Sequence, residues 1–418
     1  MSLLCLGYRT LLVKLNLSNT GIDDNNGLSK ISRTRSSLES LQLLNLRGNS
    51  IVHIPNGFFE TLNNLKTLDI SGNLVIPQKT TFNGLGVLRY MNVDSFVLCC
   101  IRPVSVEESN CKSPNDIFSS CANLIDFGIL HVCIWFTAAL SLTGNMFALI
   151  ARIRKGTWIH ESRDVLVTNL CISDFLMGIY LIIVAYMDVQ TRGQYGLHHN
   201  EWKRSVLCKI AGVLVSVSSE ASTLCILAIT MDRYILFRNP LSLRKQSLKS
   251  AYITVALIWI LSILVATLPF SWRQNEDDNF YGRSSVCISL PLTKRTLTFK
   301  GWEYSFAVFI GLNLFIYLGV VIGQIVIYKQ ILAYNTCVKS DKKKQREIAV
   351  AKSLSAVVIS DTLCWLPIAI IGCMAIGGVD ISNDVYAWII VFVLPLNSAI
   401  NPFLYTLTSY RKQQVKLT

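Results

Sequence analysis

The chain has 418 residues, of which 51% are hydrophobic and only 16% charged, and its mean hydropathy is +0.44. That is too apolar for a soluble globular protein and places most of the chain in a membrane. The net charge of +13 gathers at the ends of the apolar runs, so it does not ask for a nucleic-acid partner. Residues 1–120 read as ordinary mixed sequence, whereas long apolar blocks fill 127–408. A soluble N-terminal part therefore precedes a membrane part.

The opening MSLLCLGYRTLLVKLNLSN has a short apolar core broken by Arg9 and Lys14 and no small-residue cleavage site. It does not read as a signal peptide, and the expectation is a chain that lacks its natural start. Leu12, Leu15 and Leu17 instead begin a repeat. LQLLNLRGN (41–49) and LKTLDISGN (65–73) fit L-x-x-L-x-L/I-x-x-N at a 24-residue spacing, LLVKLNLSNT (11–20) is a looser copy, and a degenerate one runs through Leu85, Leu88 and Tyr90. These look like about four leucine-rich repeats, an α/β solenoid over 1–95. Alternate leucines should fill its core, while Asn49 and Asn73 should bond backbone at the turns. Between the leucines, Asn16, Asn45, Asp69 and Arg89 are expected on the open strand face. A solvated face is the simpler reading of them and ligand contact the sharper one. Asn16, in Asn-Leu-Ser, is also the outer glycosylation acceptor.

FVLCCIRPVSVEESNCKSPNDIFSSC (96–121) then places Cys99, Cys100, Cys111 and Cys121 before the first apolar run. Outside the cell this reads as a disulfide-tied cap and hinge over 96–124. Three pairings are open, and Cys5 is left without an obvious partner. With no histidine or C-x-x-C pair alongside, zinc is a poor alternative.

Seven stretches are long and apolar enough to span a bilayer, near 127–152, 165–187, 207–235, 251–271, 303–332, 348–376 and 385–408. They make a membrane domain over 125–408, followed by a short cytoplasmic tail, 409–418. With the N-terminus outside, the inner segments hold nineteen Lys and Arg and the outer loops nine. The positive-inside rule thus places the N-terminus outside. Asp174, Glu220, Asp232, Arg233 and Asp361 fall within spans, where an ionisable group is costly and marks function by default. Helix-packing glue is the blander reading of each.

Gly144–Asn145, Asn169 to Asp174 (N-L-x-x-x-D), Asp232-Arg233-Tyr234, Trp259, CWLP (364–367) and NPFLY (401–405) occur in the order of the rhodopsin-like G-protein-coupled receptors, which the chain resembles across all seven spans. TRGQY (191–195), SDTLCWLP (360–367) and LPLNSAINPFLYTL (394–407) are similar to the relaxin-receptor-like branch, whose members carry leucine-rich repeats. Two departures stand out. No cysteine-rich acidic lipoprotein-receptor-type module precedes the repeats, and span five lacks the proline common in the wider family.

The resemblance implies a membrane all-α seven-helix bundle (rhodopsin-like) joined to the solenoid, with a disulfide between Cys208 and Cys287. It also implies an inner switch. Arg233, with Tyr234 beside it, would bridge Asp232 and Glu347; Trp365 would pivot over the Pro367 kink; Asn401, Pro402 and Tyr405 would kink span seven. Tyr405 and Tyr328 would refill the opened gap, and Asp361 would bond Asn397 or Asn401. Asp174 with Asn145, Ser222, Asn397 and Asn401 resembles the pocket that holds an allosteric sodium ion, and no other metal or cofactor is expected.

The implied function is a cell-surface receptor for a peptide or protein hormone, relaxin- or insulin-like first, that activates a heterotrimeric G protein by outward movement of span six. The basic segments 237–245 and 339–352 and the tail would form the inner contact surface and also face anionic lipid. The alternative is a truncated leucine-rich-repeat receptor, either a non-signalling decoy or adhesion protein or a constitutively active one. An enzyme is not expected: His160–Glu161 is followed by Ser-Arg, so H-E-x-x-H fails, and neither G-x-S-x-G nor a pair of aspartates in Y-D and G-x-G-D settings is present.

Overall fold

In the computed structural model, the described residues are 12–24, 28, 31, 38–113, 120–125, 128–154, 156, 160–238, 247–271, 280–288, 290, 301–337, 342–379 and 383–404. They form two compact units. One runs to Asn123 and includes Thr191–Asn200; the other takes Leu124–Gln190 and the described residues from Glu201 onward.

The first unit is built on one parallel sheet in chain order: β1 (Lys14–Asn16), β2 (Leu43–Asn45), β3 (Thr67–Asp69), β4 (Tyr90–Asn92) and β5 (Cys111–Lys112). The register pairs Leu15, Leu44, Leu68 and Met91 in one row. Leu44, Leu68 and Met91 are buried, as are the flanking Leu41, Leu46, Leu65, Ile70, Leu88 and Val93. Each fully buried leucine contributes about 1.5–3 kcal/mol, so stacking the repeats creates the core that none has alone. The degenerate fourth repeat is thereby corrected: Met91, not Tyr90, fills the inward position, and Tyr90 is 54% exposed.

Asn49 and Asn73 close the turns. Asn73 Nδ2 donates to the carbonyls of Leu46 and Ile70 at 2.9 Å each, and its Oδ1 accepts from Ile51 N. Asn49 does the same one repeat earlier, donating to Leu17 and Leu46 and accepting from Thr20 and Ile22. The glycine before each asparagine is forced by geometry. Gly48 and Gly72 have φ of 68° and 75°, and a Cβ on Gly72 would lie 2.8 Å from the backbone of Gly48.

Ser95 Oγ caps the short helix Phe96–Cys100. Disulfides Cys99–Cys111 and Cys100–Cys121 close the cap. The strand β5, which adds Cys111–Lys112 to the sheet, extends the solenoid into the segment expected to be only cap and hinge.

In the second unit, span one is Gly128–Arg154, span two Ser162–Gln190, span three Val206–Arg238 and span four Leu248–Ser271. Span five starts as Trp302–Phe306, passes through a π-helical turn at Ala307–Leu312 and continues as Asn313–Cys337; span six is Lys342–Ile376. The described part of span seven starts at Asn383–Trp388, has a π-helical turn at Ile389–Val393 and runs as an apolar helix over Ile389–Leu404. Six of these helices are long and apolar enough to cross a membrane and the seventh is shorter. Asn313, at the end of the π-helical turn of span five, donates through Nδ2 to the carbonyls of Val308 at 3.3 Å and Phe309 at 3.4 Å.

Candidate functional site

At the outer end, Cys208 at the start of span three is bonded to Cys287. Segment 280–288 is held inside the rim by Trp202 Nε1 on Ser285 O at 2.7 Å and Tyr180 Oη on Val286 O at 2.9 Å. Tyr281 donates to Ala266 O at 2.6 Å and fills the space that Gly212 leaves open. Burial pushes the Tyr281 phenol well up, so it stays a neutral donor.

In the middle of the bundle, Asp174 is fully buried and takes three bonds. Asn401 Nδ2 donates at 2.8 Å, Ser222 Oγ at 3.1 Å and Ser398 Oγ at 3.2 Å. One carboxylate thus joins spans two, three and seven. Of the expected sodium set, Ser222 and Asn401 bond Asp174 directly. Asn145 Nδ2 donates to Ser141 O and Ser398 O, and Asn397 Nδ2 donates to Asp361, so neither bonds Asp174. Ser398 adds a hydroxyl that the sequence reading did not include. It lies one turn before Asn401 on span seven, a spacing that could have singled it out.

A sodium ion is a hard cation and wants oxygen ligands. The donor chemistry fits: besides the Asp174 carboxylate and the Ser222 and Ser398 hydroxyls, the buried amide oxygens of Asn145, Asn397 and Asn401 have no hydrogen-bond partner among the described residues. Asp174, Ser222 and Ser398 with the amide oxygens just named would hold such an ion, and it would supply the positive charge that a buried carboxylate lacks.

One layer away, Asp361 on span six accepts hydrogen bonds from Tyr317 Oη of span five and Asn397 Nδ2 of span seven. Of the two partners offered by the sequence, it takes Asn397, and Asn401 goes to Asp174. Tyr317 was not anticipated. Its ring also lies 6.2 Å from that of Trp365, tilted by 40°, one turn after Asp361 and just before Pro367 in the helix. Gly144 abuts Pro402: a Cβ there would come 3.1 Å from the proline ring. Trp259 Nε1 donates to Asn169 Oδ1 at 3.0 Å, which ties span four to span two.

At the inner end, Asp232 and Arg233 are each 3% exposed. Arg233 Nε donates to Asp232 Oδ2 at 3.1 Å with a second contact from its terminal nitrogen, and Ser162 Oγ donates to Asp232 Oδ1 at 2.5 Å. Ser162, the first residue of span two, went unnoticed because nothing in its local sequence sets it apart. Tyr234 packs against Phe237, Ile327, Ile331 and Ile348, while Tyr328 is 59% exposed. Glu347 lies on the span-six helix, but its side chain is outside the described residues, as are Tyr405, Cys5, the tail and segment 239–246.

Two further buried acids have specific partners. Glu220 Oε1 accepts from Asn313 Nδ2 at 2.9 Å, linking spans three and five. Asp188, just beyond the expected end of span two, meets His131 Nδ1 at 2.6 Å and accepts from Ile125 N at 3.1 Å. Among the described residues, no cluster of three or more His, Cys, Asp or Glu side chains is placed to hold a metal.

On the repeats, Asn16, Asn45 and Asp69 stand in register, and Asn92 completes the row in place of Arg89. Each of the first three caps its own turn, accepting from Ser18 N, Arg47 N and Ser71 N respectively. Arg89 is exposed one residue before β4, and Asn16 is exposed in β1.

The buried polar chain, the Asp-Arg pair at the end of span three and the outer disulfide, all in a seven-helix bundle, define a receptor architecture. The family model of the seven-transmembrane receptors of the rhodopsin family matches residues 144–405, and that of the leucine-rich repeat matches 10–75 and 39–95. The chain belongs to the rhodopsin family of seven-transmembrane receptors; it is a multi-pass plasma-membrane protein with its repeats outside the cell, and not an enzyme. It is 39% identical over 333 residues to the G-protein coupled receptor GRL101 of Lymnaea stagnalis, covering 78% of this chain and 29% of that one. Human relaxin receptor 2 is 32% identical over 304 residues (72% and 39%), and the thyrotropin receptor of the cat 28% identical over 307 (72% and 38%). The chain thus spans well under half the length of these relatives.

Proposed function

We propose that this chain captures a peptide or protein hormone outside the cell and activates a heterotrimeric G protein by outward movement of span six. The kinship with relaxin receptors puts relaxin- or insulin-like peptides first among ligands to try. The observation that carries the reading is the buried Asp232–Arg233 pair, held from span two by Ser162. A buried ion pair is a poor stabiliser, so its use is better sought in a two-state switch that releases Arg233 toward the G protein. Asn145, Ser398 and Asn401 tie spans one and seven to Asp174, where sodium would favour the resting form.

The test is ligand-independent and peptide-stimulated cyclic AMP, calcium and arrestin recruitment in cells carrying the parent chain, Arg233→Ala or Glu347→Gln at matched surface density. The reading expects Glu347→Gln to raise basal output and Arg233→Ala to abolish signalling. Silence from all three in every readout, despite surface delivery, would make the chain a decoy or adhesion protein instead.

A further inference from the structure

We propose that the open face of the repeat sheet seats an extended, carboxylate-rich segment of a peptide or protein ligand on Lys66, Arg89 and Tyr90. This rests on the reading of the chain as a ligand-binding receptor and adds the chemistry of the ligand.

The placement follows from the core. Leu65 and Leu68 are both buried, so Lys66 and Thr67 between them are turned out; Leu88 and Met91 do the same for Arg89 and Tyr90. Arg89 N donates to Lys66 O at 2.9 Å, which makes the two cations neighbours across adjacent segments. Like charges so placed repel, and among the described residues neither side chain has an ion pair or hydrogen bond.

The rest of the face deepens the imbalance. Lys14, Arg47 and Lys112 are exposed on or beside the strands. The same rows carry two acids, Asp69, which accepts from Ser71 and from Asn92 Nδ2, and Asp94, which accepts from Asn73 N. Neutral donors leave both carboxylates charged, but Lys14, Arg47, Lys66, Arg89 and Lys112 outnumber them, so the net charge of this face is positive.

Charge alone would suit any polyanion. Tyr90, half exposed beside Arg89, and Leu43 in the same register row add a flat apolar surface. Tyrosine and arginine together are what protein interfaces use as anchors, and a sulfated polysaccharide has no apolar side chain to place there. A peptide with clustered Asp or Glu and an apolar residue satisfies both features.

The experiment pans a phage-displayed library of random short peptides on the full chain in lipid nanodiscs. Binding of the selected peptides is then compared on the parent, Lys66→Glu/Arg89→Glu, Tyr90→Ala and, as a control away from this face, Lys79→Glu. Thermal unfolding of each variant shows that the fold is kept. The expected pool is enriched at least about threefold in Asp and Glu, and its members lose about tenfold or more in affinity on the double reversal, about threefold on Tyr90→Ala and less than about twofold on Lys79→Glu.

A pool without acidic enrichment would overturn the proposal, as would equal binding to the double reversal. So would displacement by heparin oligosaccharide with no dependence on Tyr90, which would mark a general polyanion surface. Basal signalling of Glu347→Gln, measured in parallel, separates the two readings. If it rises while panning fails, only the ligand chemistry falls; if both fail, the receptor reading falls with it.

Discussion

Replacing Asp361 by leucine should raise ligand-independent signalling. The carboxylate is 1% exposed and accepts one hydrogen bond from span five and one from span seven, so it fastens the middle of span six on both sides. Hydrogen bonds between membrane helices are worth about 0.6 kcal/mol on average and up to about 1.7. Two bonds present only while span six is in place therefore favour that state by about 1–3 kcal/mol, roughly 5- to 150-fold in the equilibrium. If about 1% of receptors are active at rest, the variant should bring that to roughly 5–60%.

The assay is basal second-messenger output per receptor at the surface, for Asp361→Leu, Tyr317→Phe and Asn397→Ala. The single-bond variants should each give part of the increase. Basal output equal to that of the parent in all three, at matched surface density, would refute the latch and leave Asp361 as packing. Loss of thermal stability with no change in signalling would point the same way.

Gly72→Ala should cost about 2–4 kcal/mol in the repeat unit, combining a left-handed backbone with overpacking against Gly48; reduced surface delivery and a lower unfolding temperature are the readouts, and parent-like values would exclude the close stacking. Purified parent receptor should unfold at a higher temperature in sodium chloride than in choline chloride, and Asp174→Asn should remove the difference; a difference that survives the substitution would place the ion elsewhere. Burial would raise the Asp24 carboxyl, but the N–H groups of Val52 and His53 and the His53 ring bond it and hold it below the usual range. The stability it lends is thus present above the ordinary aspartate pKa and lost as pH falls through the lowered value; the effect is small because the side chain is 29% exposed. Asp24→Asn should therefore flatten the acid limb of the unfolding profile, and an unchanged limb would refute the assignment.

The spans and repeats were legible because their signals are local. A run of some twenty apolar residues or a leucine every two or three positions needs no knowledge of the partner. The last repeat was read one residue off because Met91 and Val93 replace its leucines, and Tyr90 looked as apolar as the residue beside it. The strand β5 was missed for a related reason: two residues, one a disulfide cysteine, carry no period at all. Within the bundle the acids stood out against apolar surroundings, but their partners did not. Ser162 and Tyr317 are residue types common in any helix, and only the packing of spans two and five brings them to a carboxylate; Ser398, one turn before Asn401, had at least a spacing to mark it. Asp188 lies one residue past the expected end of span two and drew no reading, although it is 1% exposed and joined to His131.

The two central acids are linked through span seven. Asn397 and Asn401 are four residues apart, hence on the same helical face, yet each holds a different acid: Asn397 holds Asp361 of span six and Asn401 holds Asp174 of span two. Ser398 adds a second bond to Asp174 from the same helix, while its carbonyl receives Asn145 of span one. A rotation of span seven large enough to free Asp361 therefore cannot leave the Asp174 bonds untouched, because both sets of donors ride on one rigid turn and a half of helix. A cation gathered by Asp174 would oppose that rotation, and release of span six would loosen the cation. Such a coupling would need no pathway of small displacements across the bundle: if span seven turns as one piece, one helix face with two amides, read by two acids, would tie the inner opening to the central pocket.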